Sequence, residues 1–246
     1  MNFITYGDKK NKSILFIHGL ATTADLCFKP LLPYLKEYFV VLCEMDGHCP
    51  SKPGNVVSMK ESIDTIEDYI VNEMGGSVHG LCGFSMGGTI AVELMGRENI
   101  SIDKVLLDAP ITVELGLKGI PFTWAFIFGT TFMRLGIPVP EFLLNSIVGR
   151  DKKILDIMYP DTTKETIKNV CNYIYHYKVP AGLKNFRNPV IFWRGSKEPI
   201  PAESERILKE YLPQMESTVY EGMGHGEFLQ EHPYEYSEKL KKFLEK

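Results

Sequence analysis

The chain has 246 residues and a formal net charge of −4, with acidic and basic residues interspersed along its length. Its length fits one large α/β domain, with or without an insertion, better than two independent domains. The charge pattern offers no basic stripe for a phosphate backbone, so nucleic acid is not an expected partner.

Cysteine usage and the first residues bear on the cellular compartment. The five cysteines are scattered and contain no Cys-x-x-Cys pair, which argues against a zinc site and indicates free thiols in a reducing compartment. The first residues lack the basic region and long apolar run of a signal peptide. We therefore expect a cytoplasmic protein, while the sequence leaves its oligomeric state unknown.

Short runs rich in β-branched residues alternate with longer segments of helical periodicity, which is typical of βαβ units and a parallel sheet. Residues 3–6 and 14–17, joined by a polar turn, predict an antiparallel start. Further strands are predicted over residues 39–44, 78–84, 104–107, 190–193 and 218–220. Helices are predicted over residues 58–74, 89–97, 204–212 and 234–244. The expected fold class is α/β, with a mostly parallel central sheet flanked by helices.

This alternation stops between residues 109 and 188, where aromatic residues and prolines accumulate. The stretch predicts a helical cap inserted into a core formed by residues 1–108 and 189–246. Its uncharged segment, residues 119–133, is shorter than the roughly 20 residues that a membrane span needs, so we expect no stable membrane insertion. Aromatic residues of the cap are expected to line an apolar substrate pocket, or alternatively to fill the cap's own core. The pocket candidates are Phe122, Trp124, Phe126 and Tyr175.

A serine between glycines, in the run GFSMGG, follows one predicted strand and precedes a predicted helix. A sharp turn at Ser85 forces its backbone into strained angles, and Gly83 and Gly87 avoid crowding on either side. The turn exposes the hydroxyl at the carboxyl edge of the sheet, next to the N-terminus of a helix. The free N–H groups at this N-terminus stabilise a developing negative charge. We expect Ser85 to be a nucleophile; a tight turn that only needs small residues is the alternative.

A serine hydroxyl needs a base and a group that orients this base. His225, between glycines in the loop after the last predicted strand, is the candidate base. Glu198, in a Gly- and Pro-punctuated loop after the strand over residues 190–193, is the candidate acid, although a plain surface glutamate is possible there. Asp108, directly after the strand over residues 104–107, is the rival acid.

Two backbone N–H groups are expected to donate hydrogen bonds to the oxyanion of a tetrahedral intermediate. Met86, the residue after the nucleophile, supplies one. Leu20 supplies the other, from the loop after the strand over residues 14–17, where His18 and Gly19 let the backbone turn toward the same edge. We expect His18 to brace this loop. The chemistry requires no metal or organic cofactor.

These residues resemble those of the α/β-hydrolase superfamily, in its cap-bearing esterase, lipase and thioesterase-like branch. The resemblance covers nearly the whole chain and rests on the order nucleophile, acid, base and on four motifs: His18-Gly19, GFSMG, Gly195-Ser196-Lys197-Glu198 and Gly224-His225. It implies a serine hydrolase that cleaves an ester or related acyl bond of a small apolar substrate through an acyl-enzyme. A ligand-binding protein with slow or no turnover stays open, as do a cofactor-free haloperoxidase, C–C hydrolase or aminopeptidase.

The sequence departs from the family's pattern in three places. Glu198 stands where the family usually has aspartate, so the longer carboxylate must reach His225 from a slightly displaced backbone. Residues 46–51 look like a contracted form of the family's Asp-x-x-Gly-x-Gly-x-Ser segment. The N-terminal part lacks one strand that is common in the family.

Overall fold

A computed structural model describes residues 1–141 and 152–246 of the chain. Within this part, the centre is a seven-stranded sheet with the order β1-β3-β2-β4-β5-β6-β7. The strands are β1 (Asn2–Tyr6), β2 (Ser13–Ile17), β3 (Phe39–Glu44), β4 (Ser77–Phe84), β5 (Ser101–Asp108), β6 (Val190–Gly195) and β7 (Glu216–Tyr220). β1 pairs antiparallel with β3, and the other neighbours pair in parallel. The mostly parallel sheet is confirmed, although the antiparallel partner of β1 is β3 and not the next strand in sequence.

Eight α-helices occur within the described residues. They are α1 (Ala24–Phe28), α2 (Met59–Glu73), α3 (Met86–Met95), α4 (Ile120–Arg134), α5 (Lys164–Tyr175), α6 (Pro199–Tyr211), α7 (Glu227–Glu231) and α8 (Pro233–Glu245). α3 begins three residues before its predicted start, because Gly87 and Gly88 are poor helix formers and hide the apolar period. α6 begins at Pro199 and not at residue 204, since proline is well suited to a first helical position.

Two short helices were not predicted from the sequence. α1 and α7 have five residues each, which is too few to display a 3.6-residue period. None of the described helices is both long and apolar enough to cross a bilayer.

Both faces of the sheet are buried under helices, as parallel sheets require. Side chains alternate along β2, so Leu15 and Ile17 enter one core with Ile63 of α2, while Ile14 and Phe16 enter the other. The first core also contains residues of α3 and α6, and the second contains residues of α1 and α8. Because these strands pair in parallel, the carboxyl ends of β2, β4, β5 and β6 lie at one edge of the sheet.

Between β5 and β6 the chain leaves the sheet. The described parts of this stretch contain α4, α5 and short 3₁₀ turns, and one isolated bridge joins Met158 to Thr22. Residues 142–151 of the predicted cap over residues 109–188 lie outside the described residues. Ile127 of α4 and Ile167 of α5 belong to the same hydrophobic core as one face of the sheet. Treating this stretch as a separate cap domain stays a prediction.

Candidate active site

Ser85 lies at the junction of β4 and α3 in a backbone conformation that L-residues rarely adopt, with a φ of 54° and a ψ of −115°. Its N–H donates to the carbonyl oxygen of Asp108 at 2.8 Å. A Cβ atom at Gly83 would collide with the carbonyl of Gly87, and one at Gly87 would collide with the carbonyl of Ile17. The two glycines therefore allow β2, β4 and α3 to approach closely enough for the turn to close at Ser85.

The structure brings Ser85, His225 and Glu198 together in one hydrogen-bonded chain. Nε2 of His225 lies 2.9 Å from Oγ of Ser85, and Nδ1 lies 2.6 Å from Oε1 of Glu198. Because an ionised carboxylate only accepts hydrogen bonds, Nδ1 carries the hydrogen and Nε2 presents its lone pair to the hydroxyl. Oε2 of Glu198 accepts the N–H of Gly195 at 2.5 Å, so both oxygens of this buried carboxylate are engaged.

The electrostatic surroundings of His225 favour its protonated form. Burial by itself lowers the pKa of His225, but the hydrogen bond and charge of Glu198, with a smaller contribution from the charge of Asp108, outweigh that effect. The pKa of His225 is therefore raised above its ordinary value of 6.5. An imidazole placed in this way accepts a proton readily and is stabilised once it carries the charge.

Asp108, the rival acid, ends β5 between Phe84 of β4 and Trp193 of β6. Its carboxylate accepts a hydrogen bond from the hydroxyl of Tyr236 at 3.2 Å, while Glu198 takes the hydrogen bond to His225. Burial, followed by the charge of Glu198, raises the pKa of Asp108 to about 7. A second carboxyl group thus lies near the imidazole without bonding to it.

The loop after β2 carries Leu20 to the cavity that Ser85 and His225 also line. His18 is fully buried behind this loop, where Nε2 accepts the N–H of Met45 at 3.1 Å and Nδ1 donates to the carbonyl of Gly19 at 2.7 Å. Burial, and then the nearby imidazole of His48, lower the pKa of His18 to about 3. A neutral His18 thereby ties the loop to the residue after β3.

The other predicted oxyanion donor, Met86, is the first residue of α3. The first four N–H groups of an α-helix have no partner within the helix, so this N–H is available to a ligand beside Ser85. The side chain of Met86 is fully buried beneath the turn. Leu20 and Met86 thus flank the nucleophile from two separate segments of the chain.

A narrow cavity of about 30 Å³ lies beside Ser85. A space of this size holds about two water molecules. Besides Ser85, His225 and Leu20, its walls are largely apolar and include Phe126, Ile157 and Met158. The hydroxyl of Ser85 therefore lies beside a small, mainly apolar space.

The four aromatic residues that were predicted to line a substrate pocket lie in different places. Phe126 lines the cavity at Ser85, whereas Trp124 and Tyr175 line another cavity, between α4 and α5. Phe122 packs against Tyr175, with ring centroids 6.2 Å apart, and does not line either of these two cavities. Successive helical residues are rotated by about 100°, so Phe126 and Trp124 face different sides of α4.

Phe84, Ile157 and Met158 belong to the site but were not predicted. The ring of Phe84 lies 4.9 Å from the imidazole of His225, measured between centroids. Cβ atoms at Gly19 and Gly226 would press on the same ring, so Phe84 fills the space between two loops of the site. Its position just before Ser85 was the available signal. Ile157 and Met158 follow a stretch without clear periodicity, so the sequence offered no signal for them.

Comparisons with known proteins agree with this architecture. A family profile described as alpha/beta hydrolase fold matches residues 12–231. A putative alpha/beta hydrolase family protein from Desulfitobacterium hafniense superposes with a TM-score of 0.84 at 21% identity, covering 99% of this chain and 100% of that one. A search of curated proteins found no match.

Two further solved structures are described as esterases. A carboxylesterase from Nitrososphaera gargenis has a TM-score of 0.80 at 18% identity, covering 99% of this chain and 93% of that one. An esterase from Exiguobacterium antarcticum has a TM-score of 0.78 at 16% identity, with 99% and 95% covered. At such identities the likeness shows the fold, while the family profile spans most of the sequence. The chain therefore belongs to the alpha/beta hydrolase family.

Proposed function

We propose that this protein is a serine hydrolase that cleaves a carboxylic ester through an acyl-enzyme intermediate. The observation that carries the proposal is the hydrogen-bonded chain from Ser85 through His225 to Glu198, with Ser85 held on a strained turn. A protein that only binds its ligand has no need for this combination. The esterases among the similar structures support an ester as the bond that is cleaved.

In the proposed mechanism, Nε2 of His225 takes the hydroxyl proton as Oγ of Ser85 attacks the carbonyl carbon. Glu198 stabilises the imidazolium that forms, and the N–H groups of Leu20 and Met86 donate to the oxyanion. The imidazolium then gives its proton to the departing alcohol. A water molecule, activated by His225 in the same way, releases the acid and restores Ser85.

The cavity beside Ser85 supports a short acyl group. Its volume of about 30 Å³ is small, and Phe126, Ile157 and Met158 offer apolar contact. We therefore propose small esters with acyl groups near the size of acetate as substrates. The proposed cytoplasmic location rests on the five cysteines, all of which are buried and unpaired.

Labelling with a fluorophosphonate probe tests the function directly, because the probe reacts with activated serines. The native protein is expected to be labelled and to hydrolyse p-nitrophenyl acetate, and Ser85→Ala is expected to lose both properties. Ser62→Ala, which removes another buried hydroxyl on α2, serves as the matched control and should behave as the native protein does. A native protein that takes no label, or a Ser85→Ala variant that still does, would contradict the proposal.

A further inference from the structure

The outward face of α4 exposes a row of large apolar side chains. Ile120, Trp124 and Phe128 follow one another at intervals of four residues and are 49%, 41% and 46% exposed. The rings of Trp124 and Phe128 stack with their centroids 5.7 Å apart. Single exposed apolar residues are common in folded proteins, whereas large contiguous apolar patches often mark interaction sites.

Two lysines of α5 lie beside this row. The Nζ atoms of Lys164 and Lys168 are 5.2 Å and 5.8 Å from the centre of the Trp124 ring. The lysines are one helical turn apart, and both side chains are exposed. Their ammonium groups thus bring two positive charges to the edge of an apolar surface, where each can donate hydrogen bonds to an anion.

A cavity of about 270 Å³ opens between α4 and α5 at this place. Its wall is mainly apolar and includes Ile120, Trp124, Lys168 and Tyr175. Among the described residues that line it, none carries a carboxylate. A cavity of about 150 Å³ can hold benzene, so this one has room for a ring or a medium-length alkyl chain.

We propose that this cavity binds a small carboxylate with an apolar body. The body would lie against Ile120, Trp124 and Tyr175, and the carboxylate would meet the ammonium of Lys168, with Lys164 adding positive charge at the rim. The cavity shares no lining residue with the one at Ser85, so the proposal stands independently of the proposed function.

Tryptophan fluorescence can report binding, because the sequence contains only two tryptophans. Trp124 lies in the proposed site, whereas Trp193 is buried in the core on the other side of the sheet. Titrating the full-length protein with sodium octanoate, below its micelle concentration, should change the emission in a saturable way. Trp124→Phe, which retains only Trp193, should show no such change.

Two tests of charge distinguish a site that binds a carboxylate from a surface that binds any apolar molecule. Octanamide, which has the same chain but no charge, should bind about fivefold more weakly than octanoate. The double variant K164A/K168A should weaken octanoate binding by about tenfold and leave octanamide binding unchanged. Lys184→Ala is the matched control, because Lys184 makes the same kind of contact with Tyr211 elsewhere on the surface, 5.2 Å from the ring centre.

Four results would overturn the proposal. The first is no saturable response of Trp124, and the second is equal affinity for octanoate and octanamide. The third is a response of Trp124 to anionic phosphatidylglycerol vesicles but not to octanoate, which would make the row a membrane contact. The fourth is octanoate protection of Ser85 against a fluorophosphonate with the same midpoint as the fluorescence change, which would place the ligand at Ser85.

Discussion

Glu198 holds His225 through one oxygen and the end of strand β6 through the other. Oε1 lies 2.6 Å from Nδ1 of His225, and Oε2 accepts the N–H of Gly195, the last residue of β6. The carboxylate cannot rotate without breaking one of these bonds. It therefore fixes the imidazole in the tautomer whose free lone pair points at Ser85. The extra methylene of glutamate, compared with aspartate, is accommodated because the side chain folds back toward β6.

Replacing Glu198 with glutamine should reduce kcat for p-nitrophenyl acetate by about 10²- to 10⁴-fold, because an amide can hold the imidazole in the wrong tautomer and cannot stabilise its charge. Asp108→Asn is the matched control, since it removes the other nearby carboxylate. We expect a change of less than about tenfold for this variant. A larger loss in Asp108→Asn than in Glu198→Gln would assign the orienting role to Asp108.

The pH dependence should reveal the raised pKa of His225. The proposed base must be neutral in the free enzyme, so kcat/KM should fall as the pH drops through this pKa, with a midpoint above 6.5. In Glu198→Gln the midpoint should move to lower pH, because burial then opposes the imidazolium with less compensation. Profiles from about pH 5 to about pH 9 test both statements. A midpoint below 6.5 in the native protein, or an upward shift in the variant, would contradict them.

Asp108 should make the fold less stable as the pH rises. Its pKa is about 7 in the folded protein, against an ordinary value of 3.8, so the folded state binds more protons than the unfolded state between these values. Stability is therefore lost as the pH rises through this window. Asp108→Asn cannot ionise but keeps an oxygen for the hydroxyl of Tyr236. The variant should gain on the order of 2 kcal/mol relative to the native protein between about pH 5 and about pH 8.

Urea unfolding at the two pH values measures this difference. Asp68→Asn provides the control, because Asp68 is an exposed carboxylate on α2. The free energy of unfolding of this control variant, relative to that of the native protein, should not rise in the same way between the two pH values. If the free-energy difference for Asp108→Asn is the same at both pH values, the ionisation of Asp108 is not coupled to folding in the stated direction.

Gly87→Ala should unfold or inactivate the protein. The new Cβ atom would collide with the backbone carbonyl of Ile17, and a backbone group in the central sheet cannot move aside as a side chain can. We expect a loss of about 3 kcal/mol in the free energy of unfolding. Gly54→Ala is the matched control, because a Cβ atom there would contact nothing within 4 Å. Chemical denaturation of both variants tests the prediction, which fails if Gly87→Ala is as stable as Gly54→Ala.

Phe126→Ala should widen the range of acyl chains. Phe126 lines the narrow cavity at Ser85, so removing its ring makes room beside the hydroxyl. The ratio of kcat/KM for p-nitrophenyl hexanoate to that for the acetate should rise by about tenfold. Trp124→Ala, on another side of α4, should leave the ratio unchanged. An equal effect of both variants would mean that Phe126 does not limit the acyl site.

Local sequence was sufficient for the features that depend on near neighbours. The turn at Ser85 is encoded within a few residues, because a buried strand, two spaced glycines and an apolar helix follow one another without a loop. The apolar face of α2 is equally local: Met59, Ile63, Ile66 and Ile70 recur at intervals of three or four residues, and all four enter the core. The mostly parallel sheet followed from the alternation of such segments.

Tertiary structure decided whatever depends on distant segments. Asp108 ends β5, Glu198 follows the neighbouring strand β6, and both are buried, so sequence position could not choose between them. The choice depends on the directions of their side chains and on the hydroxyl of Tyr236, which lies 128 residues beyond Asp108 in the chain. Likewise, the face of α4 that meets the cavity at Ser85 is set by the packing of α4 against α5 and the hydrophobic core that both helices share. Sequence patterns describe the period of an element, whereas its rotation and partners are fixed only when the whole core packs.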